Sequence, residues 1–230
     1  MKDKDKVGFY MVLEGVDFCG KSTLAKQIVE KLSGIYGADN VIHKREPSNE
    51  NYGAKMRATL MSDEMTEEKE ILAAKYMLLD RIENTTLVSG LLRENKIVIQ
   101  ERNFLTALVY NEAADTEDVK FIQEANKLSL KPDYLALITI SDCSLSHRLE
   151  KAKEERGVLD RYETIEKVTK RNKDYFKYAE YISGVFSNDG EESLRNNIER
   201  LVGIVKENYT ASNWYVSDYM ISYVCFWVHL

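Results

Sequence analysis

The sequence predicts an α/β fold in which five parallel strands alternate with helices. Three observations carry that prediction. Short apolar runs recur between longer stretches of helical spacing. The first run ends in a glycine-containing turn that leads straight into a helix. No internal repeat or linker divides the chain, and its 230 residues, 44% hydrophobic and 30% charged, suit one globular domain.

Each element follows from its own pattern. "VGFYMVLEG" is an unbroken apolar run closing on glycine, as a strand buried on both faces reads. "KSTLAKQIVEKLSGIYG" places Leu24, Ile28, Val29 and Leu32 on one helical face and ends at glycines. "NVIHKRE" is the second strand, followed by the turn residues Pro47, Ser48 and Asn49. From about Tyr52 to Leu92 the spacing is helical, with a break near Ser62–Thr66. "KIVIQER" is the third strand, and helices follow over about 105–113 and 117–130. "PDYLALITI" is the fourth strand, with Pro132 tolerated at its start. A polar helix, "CSLSHRLEKAKEERG", and a long helix from about Arg161 to Tyr181 lead to the fifth strand, "SGVFS". "EESLRNNIERLVGIVKE" closes as a helix. Strands alternating with helices imply right-handed crossovers.

The division expected is one domain over residues 1–207, with a lid at about 150–160, and a C-terminal appendage over 208–230 of unknown role. That last stretch, "NYTASNWYVSDYMISYVCFWVHL", is aromatic, β-prone and poor in lysine and arginine, so an extra strand is one form it can take. Asp218 and other polar residues argue against a membrane span. The net charge of −6, with basic residues dispersed, argues against a broad nucleic-acid surface. Cys19, Cys143 and Cys225 lie far apart, a pattern of a reducing cytoplasm and not of disulfides or zinc. The N-terminus lacks the apolar core of a signal peptide.

Chemistry concentrates first in "GVDFCGKST", residues 15–23. Gly15, Gly20, Lys21 and Ser22 fit G-x-x-x-x-G-K-[ST] between a strand and a helix, the context that pattern needs. The glycines let the backbone curl so that several N–H groups face one anion, and the helix start adds the positive end of its dipole. Lys21 suits the β- and γ-phosphates, and the Ser22 hydroxyl suits Mg²⁺. The expected ATP cradle is Gly15, Val16, Asp17, Phe18, Cys19, Gly20, Lys21, Ser22 and Thr23. Asp17 inside it requires Mg²⁺ or a sugar hydroxyl to offset repulsion from phosphate.

Five stretches in order are similar to thymidylate kinases: "LEGVDFCGKSTLAKQI", "HKREPSNENYGAKMR", "YMLLDRIEN", "VIQERNFLTALVY" and "ERGVLDRYE". The likeness covers about residues 7–205 and implies a three-layer P-loop fold with a five-stranded parallel sheet and a mobile lid. It implies ATP-dependent phosphorylation of dTMP to dTDP for dTTP synthesis, with Mg²⁺ as cofactor and a homodimer as the assembly. It assigns Arg45 and Arg102 to the acceptor phosphate, and bidentate guanidinium geometry suits that task. Arg81 resembles the arginine that reads the thymine carbonyl, and Met77 occupies the position of a base-stacking ring. Thr106 and Tyr110 resemble the lining of the base and deoxyribose pocket. Glu101, where the family usually has aspartate, would meet Mg²⁺ with Ser22 and Asp17. Phe18 cannot supply the loop arginine of some family members, so the resemblance makes Arg156 in the lid the better candidate for the transition-state cation, with Arg161 beside it. The catalytic set is then Lys21, Arg102, Arg156 and Asp17.

Three places depart from the family pattern: "SNENYG" stands for a glycine pair, Asn103 for an aromatic or histidine, and Met77 for the stacking ring. Other readings stay open. A deoxynucleoside kinase would use Glu101 as base on a 5′-hydroxyl but needs no Arg45. A kinase for another deoxynucleoside monophosphate would share most of these residues. A nucleotide-binding regulator would not need Lys21, Ser22, Arg102 and the lid arginines together.

Overall fold

A computed structural model describes residues 7–62, 64, 66–110, 117–127, 129–157 and 163–226, without the side chains of 118, 119 and 210–226. The strands are β1 (Phe9–Glu14), β2 (Val41–Arg45), β3 (Ile97–Glu101), β4 (Tyr134–Thr139) and β5 (Gly184–Ser187). All neighbours are parallel, in the order β2-β3-β1-β4-β5. Central β1 and its neighbour β3 are buried along their whole length, which is why both read as apolar runs.

The helices are α1 (Lys21–Tyr36), α2 (Asn51–Leu60), α3 (Glu67–Arg93), α4 (Phe104–Tyr110), α5 (Glu117–Lys127), α6 (Asp142–Arg156), α7 (Ile165–Asp174) and α8 (Glu191–Phe226). Right-handed crossovers dictate their layers. The chain moves from β1 to β2 in one direction and from β2 through β3 and β4 to β5 in the other. Helix α1 therefore lies on one face, where it meets α8, and the other crossover helices lie opposite. The reversal at β1 places the turn after it at the crevice where such sheets bind ligands.

Register aligns the strand ends. Arg45 of β2 stands opposite Glu101 of β3, and Glu101 stands opposite Leu13 of β1. Arg102, one residue beyond, has φ 64°. That left-handed conformation is uncommon for a side-chain-bearing residue and frequent at functional sites.

Two expectations are corrected. The long helix over 161–181 begins at Ile165, where the Thr164 hydroxyl caps the Lys167 N–H, and gives way to a 3-10 segment over Tyr175–Tyr181. The tail is not a strand: α8 continues without a break from Glu191 to Phe226. Among the described residues, no helix is long and apolar enough to cross a membrane.

Candidate active site

Backbone geometry makes the loop after β1 an anion cradle. A Cβ on Gly15 would lie 2.3 Å from the Ile138 carbonyl oxygen, and one on Gly20 would lie 2.4 Å from the Asn188 side-chain nitrogen. Both glycines also have positive φ, 139° and 90°. Gly20 caps α1 without a side-chain hydrogen bond, and the first turn holds no acidic residue. The opening N–H groups of α1 are thereby left for an anion. Lys21 donates to the Val16 carbonyl at 2.5 Å and contacts Cys19 Sγ at 3.5 Å. Burial pulls its ammonium below the ordinary value.

A cleft of about 720 Å³ opens on this loop. The cradle contributes Asp17, Phe18, Gly20, Lys21, Ser22 and Thr23 to its wall, and the strand ends contribute Arg45, Glu101 and Arg102. Helix α6 and the segments after it and after β5 complete it with Arg148, Arg156, Glu163 and residues 188–191 and 194. Gly15, Val16 and Cys19 stand behind the wall, Val16 and Cys19 fully buried.

Charges in the cleft are paired in a specific way. Arg102 forms an ion pair with Asp17, and the Tyr110 hydroxyl donates to the other Asp17 oxygen at 3.1 Å. Burial would raise the Asp17 carboxyl, but Arg102, then Lys21 and the hydrogen bonds hold it well below the usual range. The two Asp17 oxygens thus face Arg102 and Tyr110.

Ser22 and Glu101 meet as well. The Ser22 hydroxyl donates to one Glu101 oxygen, and His43 Nε2 lies 3.0 Å from the other. Burial would raise the Glu101 carboxyl, but His43, Ser22 and Arg45 hold it low and ionised. A hydroxyl whose lone pairs stay free beside an ionised carboxylate is a hard oxygen pair, and Mg²⁺ bound to nucleotide phosphates takes that donor type. The residues present fit the ion.

The Arg45 side chain makes no hydrogen bond or salt bridge among the described residues, and it borders a second cavity of about 360 Å³ with His43, Asp80 and Asn84. Arg156 ends α6 just before Gly157, its guanidinium 5.8 Å from the Phe18 ring and 3.6 Å from Glu163. Arg161, with 158–162, lies outside the described residues.

The residues expected around the acceptor base do not line the large cleft. Tyr110 and Thr106 adjoin it through Arg102, whose guanidinium is 3.5 Å and 3.4 Å from their hydroxyls. Thr106 gives its hydroxyl proton to buried Glu14 at 2.6 Å. Met77 is half-buried on α3, while Tyr76 stacks on Tyr52 of α2 at 6.2 Å. Arg81 is no surface ion pair. It is 1% exposed and donates to Glu46, Asn126 and the Asn103 carbonyl. A guanidinium has five N–H donors, so donors remain beyond those three bonds.

The departures have local reasons. Asp80, beside Arg81, accepts from the Ser48 N–H at 2.9 Å and its hydroxyl at 2.5 Å, so the Asp-Arg pair fixes the turn after Arg45 without a glycine pair. Asn103 donates to the Tyr10 hydroxyl at 2.9 Å and accepts from the Phe104 N–H at 2.6 Å, which ties the end of β3 to β1 and satisfies the first N–H of α4.

Sequence reasoning missed four positioning residues. Glu14 accepts from the Asn103 and Thr106 N–H groups at 2.7 Å and 3.1 Å. The Tyr175 hydroxyl contacts Glu14, the Gly15 carbonyl and Thr106 at 3.2, 3.2 and 3.1 Å. Arg148 donates to the Phe18 carbonyl at 2.8 Å, and the Asn188 amide donates to the Cys19 carbonyl at 2.8 Å, so α6 and the β5 end brace the cradle. Only Glu14 carried a local signal, a carboxylate closing an apolar strand.

Comparison with known proteins agrees with this architecture. A family model described as thymidylate kinase matches residues 13–200. A thymidylate kinase of Brachyspira hyodysenteriae is 24% identical over 209 residues, covering 87% of this chain and 95% of the relative. One from Anaplasma phagocytophilum is 28% identical over 166 residues, 69% of this chain and 74% of the relative. Thymidylate kinase structures from Ehrlichia chaffeensis (TM-score 0.61, 20% identity, 86% of this chain and 98% of that one) and Candida albicans (0.63, 19%, 87% and 92%) share the fold.

Proposed function

The chain belongs to the thymidylate kinase family, and on that premise we propose how its residues divide the work. The activity is ATP-dependent phosphorylation of dTMP to dTDP in dTTP synthesis. The observation that carries the residue assignment is the single cleft shared by Lys21, Ser22, Arg45, Glu101, Arg102 and Arg156.

ATP phosphates lie in the cradle of residues 15–23, against the N–H groups of α1 and Lys21. Ser22 and Glu101 would hold Mg²⁺, which would supply charge neutralisation to the nucleotide phosphates. The acceptor phosphate lies against Arg45 and Arg102. Its oxygen is already anionic near neutral pH, so no side chain has to act as general base. Catalysis is therefore alignment and charge neutralisation, with Lys21, Arg102 and Arg156 around the migrating group. Asp17 holds Arg102 in place and faces the sugar beside Tyr110. Arg81, Met77 and Thr106 surround the base, Arg81 offering donors to a pyrimidine carbonyl that an amino group would reject. The lid, about 150–160, brings Arg156 over Phe18 and excludes water. The domain is 1–207, and 208–230 is an appendage whose described part, to Phe226, continues α8. Among the described side chains Cys19 and Cys143 are free, which agrees with a cytoplasmic setting.

A coupled ADP-release assay with ATP and dTMP, dUMP, dCMP, dGMP or thymidine tests this reading. Turnover should be fastest with dTMP and vanish with thymidine. Turnover on thymidine alone would move the chain to the nucleoside kinases.

Assembly as a homodimer is supported by α3. One stripe, including Asp80, Arg81, Asn84 and Val88, is buried, while Leu72, Leu79, Ile82 and Leu87 are exposed. Apolar residues on the solvent side of a long helix are the mark of a partner surface. Sedimentation equilibrium at micromolar concentration should give twice the 26.6 kDa chain mass. Ile82→Asp should reduce it to the monomer, and a monomeric parent protein would remove the dimer from the proposal.

A further inference from the structure

Two short helical segments meet in register beside the cleft. Thr106 and Tyr110 are four residues apart on α4, and Arg171 and Tyr175 are four apart at the end of α7. Residues so spaced share a helix face. The pairs form two rungs. Tyr175 and Thr106 hydroxyls lie 3.1 Å apart, and the Arg171 guanidinium lies 4.1 Å from the Tyr110 ring centre. Tyr175 is fully buried and anchored to Glu14 and Gly15, so the first rung fixes where the second falls. Tyr110 also carries Arg102 at 5.4 Å from its ring and gives its hydroxyl proton to Asp17.

We propose that Arg171 is a positioning residue that pins the Tyr110 ring and thereby sets discrimination between deoxyribose and ribose in the acceptor. The inference rests on the reading that Tyr110 faces the acceptor sugar. A ring can exclude one hydroxyl only if it cannot swing away. Its tether at the hydroxyl end, to Asp17, leaves rotation about that end open. A guanidinium on the ring restricts that rotation through the attraction between cation and π-face. Burial pushes the Tyr110 phenol up to about 12, against Arg102 and Arg171, so it stays a neutral donor throughout the working range. Arg171 also follows the lid closely, since α7 begins at Ile165.

The test is the ratio of kcat/KM for dTMP to that for 5-methyluridine 5′-monophosphate, which differ only in the 2′-hydroxyl. Arg171→Ala should lower the ratio about tenfold while kcat for dTMP stays within about threefold. Arg171→Lys, which keeps a cation, should recover much of it, and Arg171→Met should not. Circular dichroism checks that each variant is folded. Tyr110→Ala serves as the reference, because its ratio must fall if the ring excludes the hydroxyl at all. If Tyr110→Ala lowers the ratio and Arg171→Ala leaves it unchanged, the positioning role is wrong and the reading of Tyr110 stands. If neither lowers it, the reading of Tyr110 fails and the inference goes with it. Loss of dTMP turnover in Arg171→Ala with the ratio intact would make Arg171 a phosphate ligand and overturn the proposal.

Discussion

Lys21→Ala is expected to lower kcat by a factor on the order of 10³ with the fold intact. Both halves of that statement come from where the ammonium sits. It is 6% exposed and donates to a carbonyl of its own loop, so it is held at the mouth of α1 before any phosphate arrives. Burial lowers its pKa, which means the folded chain carries this charge at a cost. Removing it relieves that cost and leaves the Val16 carbonyl without one donor, a loss of about 1 kcal/mol. Stability should therefore change little. The phosphoryl group in flight loses its nearest fixed positive charge in a wall where water cannot substitute. Circular dichroism and a thermal melt check the fold, and the coupled assay checks turnover. Residual activity above about a tenth of the parent rate would place the catalytic charge elsewhere.

What could be read from the sequence and what could not divide along one line, the sequence distance over which a contact acts. The five strands and the start of α1 rest on apolar runs and on Gly20 and Lys21, all local signals. So does the end of α6 at Gly157. Residues 208–226 continue α8 despite their aromatic, β-prone composition, because a helix already running into them overrides propensity. The helix expected from Arg161 failed at its start, because the Thr164 cap was not weighed as a stop signal for what precedes it. In the site, Arg45 and Glu101 were legible as strand ends, and the parallel register puts them side by side. The pairing of Asp17 with Arg102 joins residues 85 apart, and that of Glu14 with Tyr175 joins residues 161 apart. No spacing rule reaches so far. For the carboxylate beside the phosphate loop the sequence offers Mg²⁺ or a sugar hydroxyl, and the fold adds a guanidinium from the end of the neighbouring strand.

That pairing makes Arg102→Ala the variant with the most readable consequences. Its kcat/KM for dTMP should fall by about 10³, since a fixed guanidinium contact to the acceptor phosphate is lost. A second effect separates this variant from other phosphate ligands. Asp17 in the parent protein is held well below the usual carboxylate range, chiefly by Arg102 against burial. A carboxylate with a depressed folded pKa contributes stability that is complete above its unfolded value, about 3.9, and lost as pH falls through the folded value. Without Arg102, burial is opposed mainly by Lys21 and the Tyr110 hydroxyl, so the Asp17 carboxyl rises. A raised carboxylate instead costs stability at neutral pH, and the cost disappears as acid protonates it. The difference in Tm between parent and variant should therefore be largest near pH 7 and narrow steadily towards pH 4. Arg45→Ala removes a charge that faces Glu101 and not Asp17, and His43 and Ser22 still hold Glu101 low, so it should weaken dTMP binding with a much smaller pH signature. A Tm difference for Arg102→Ala that stays constant across this range would mean that Asp17 does not depend on Arg102. The cleft would then be assembled by some other pair of charges.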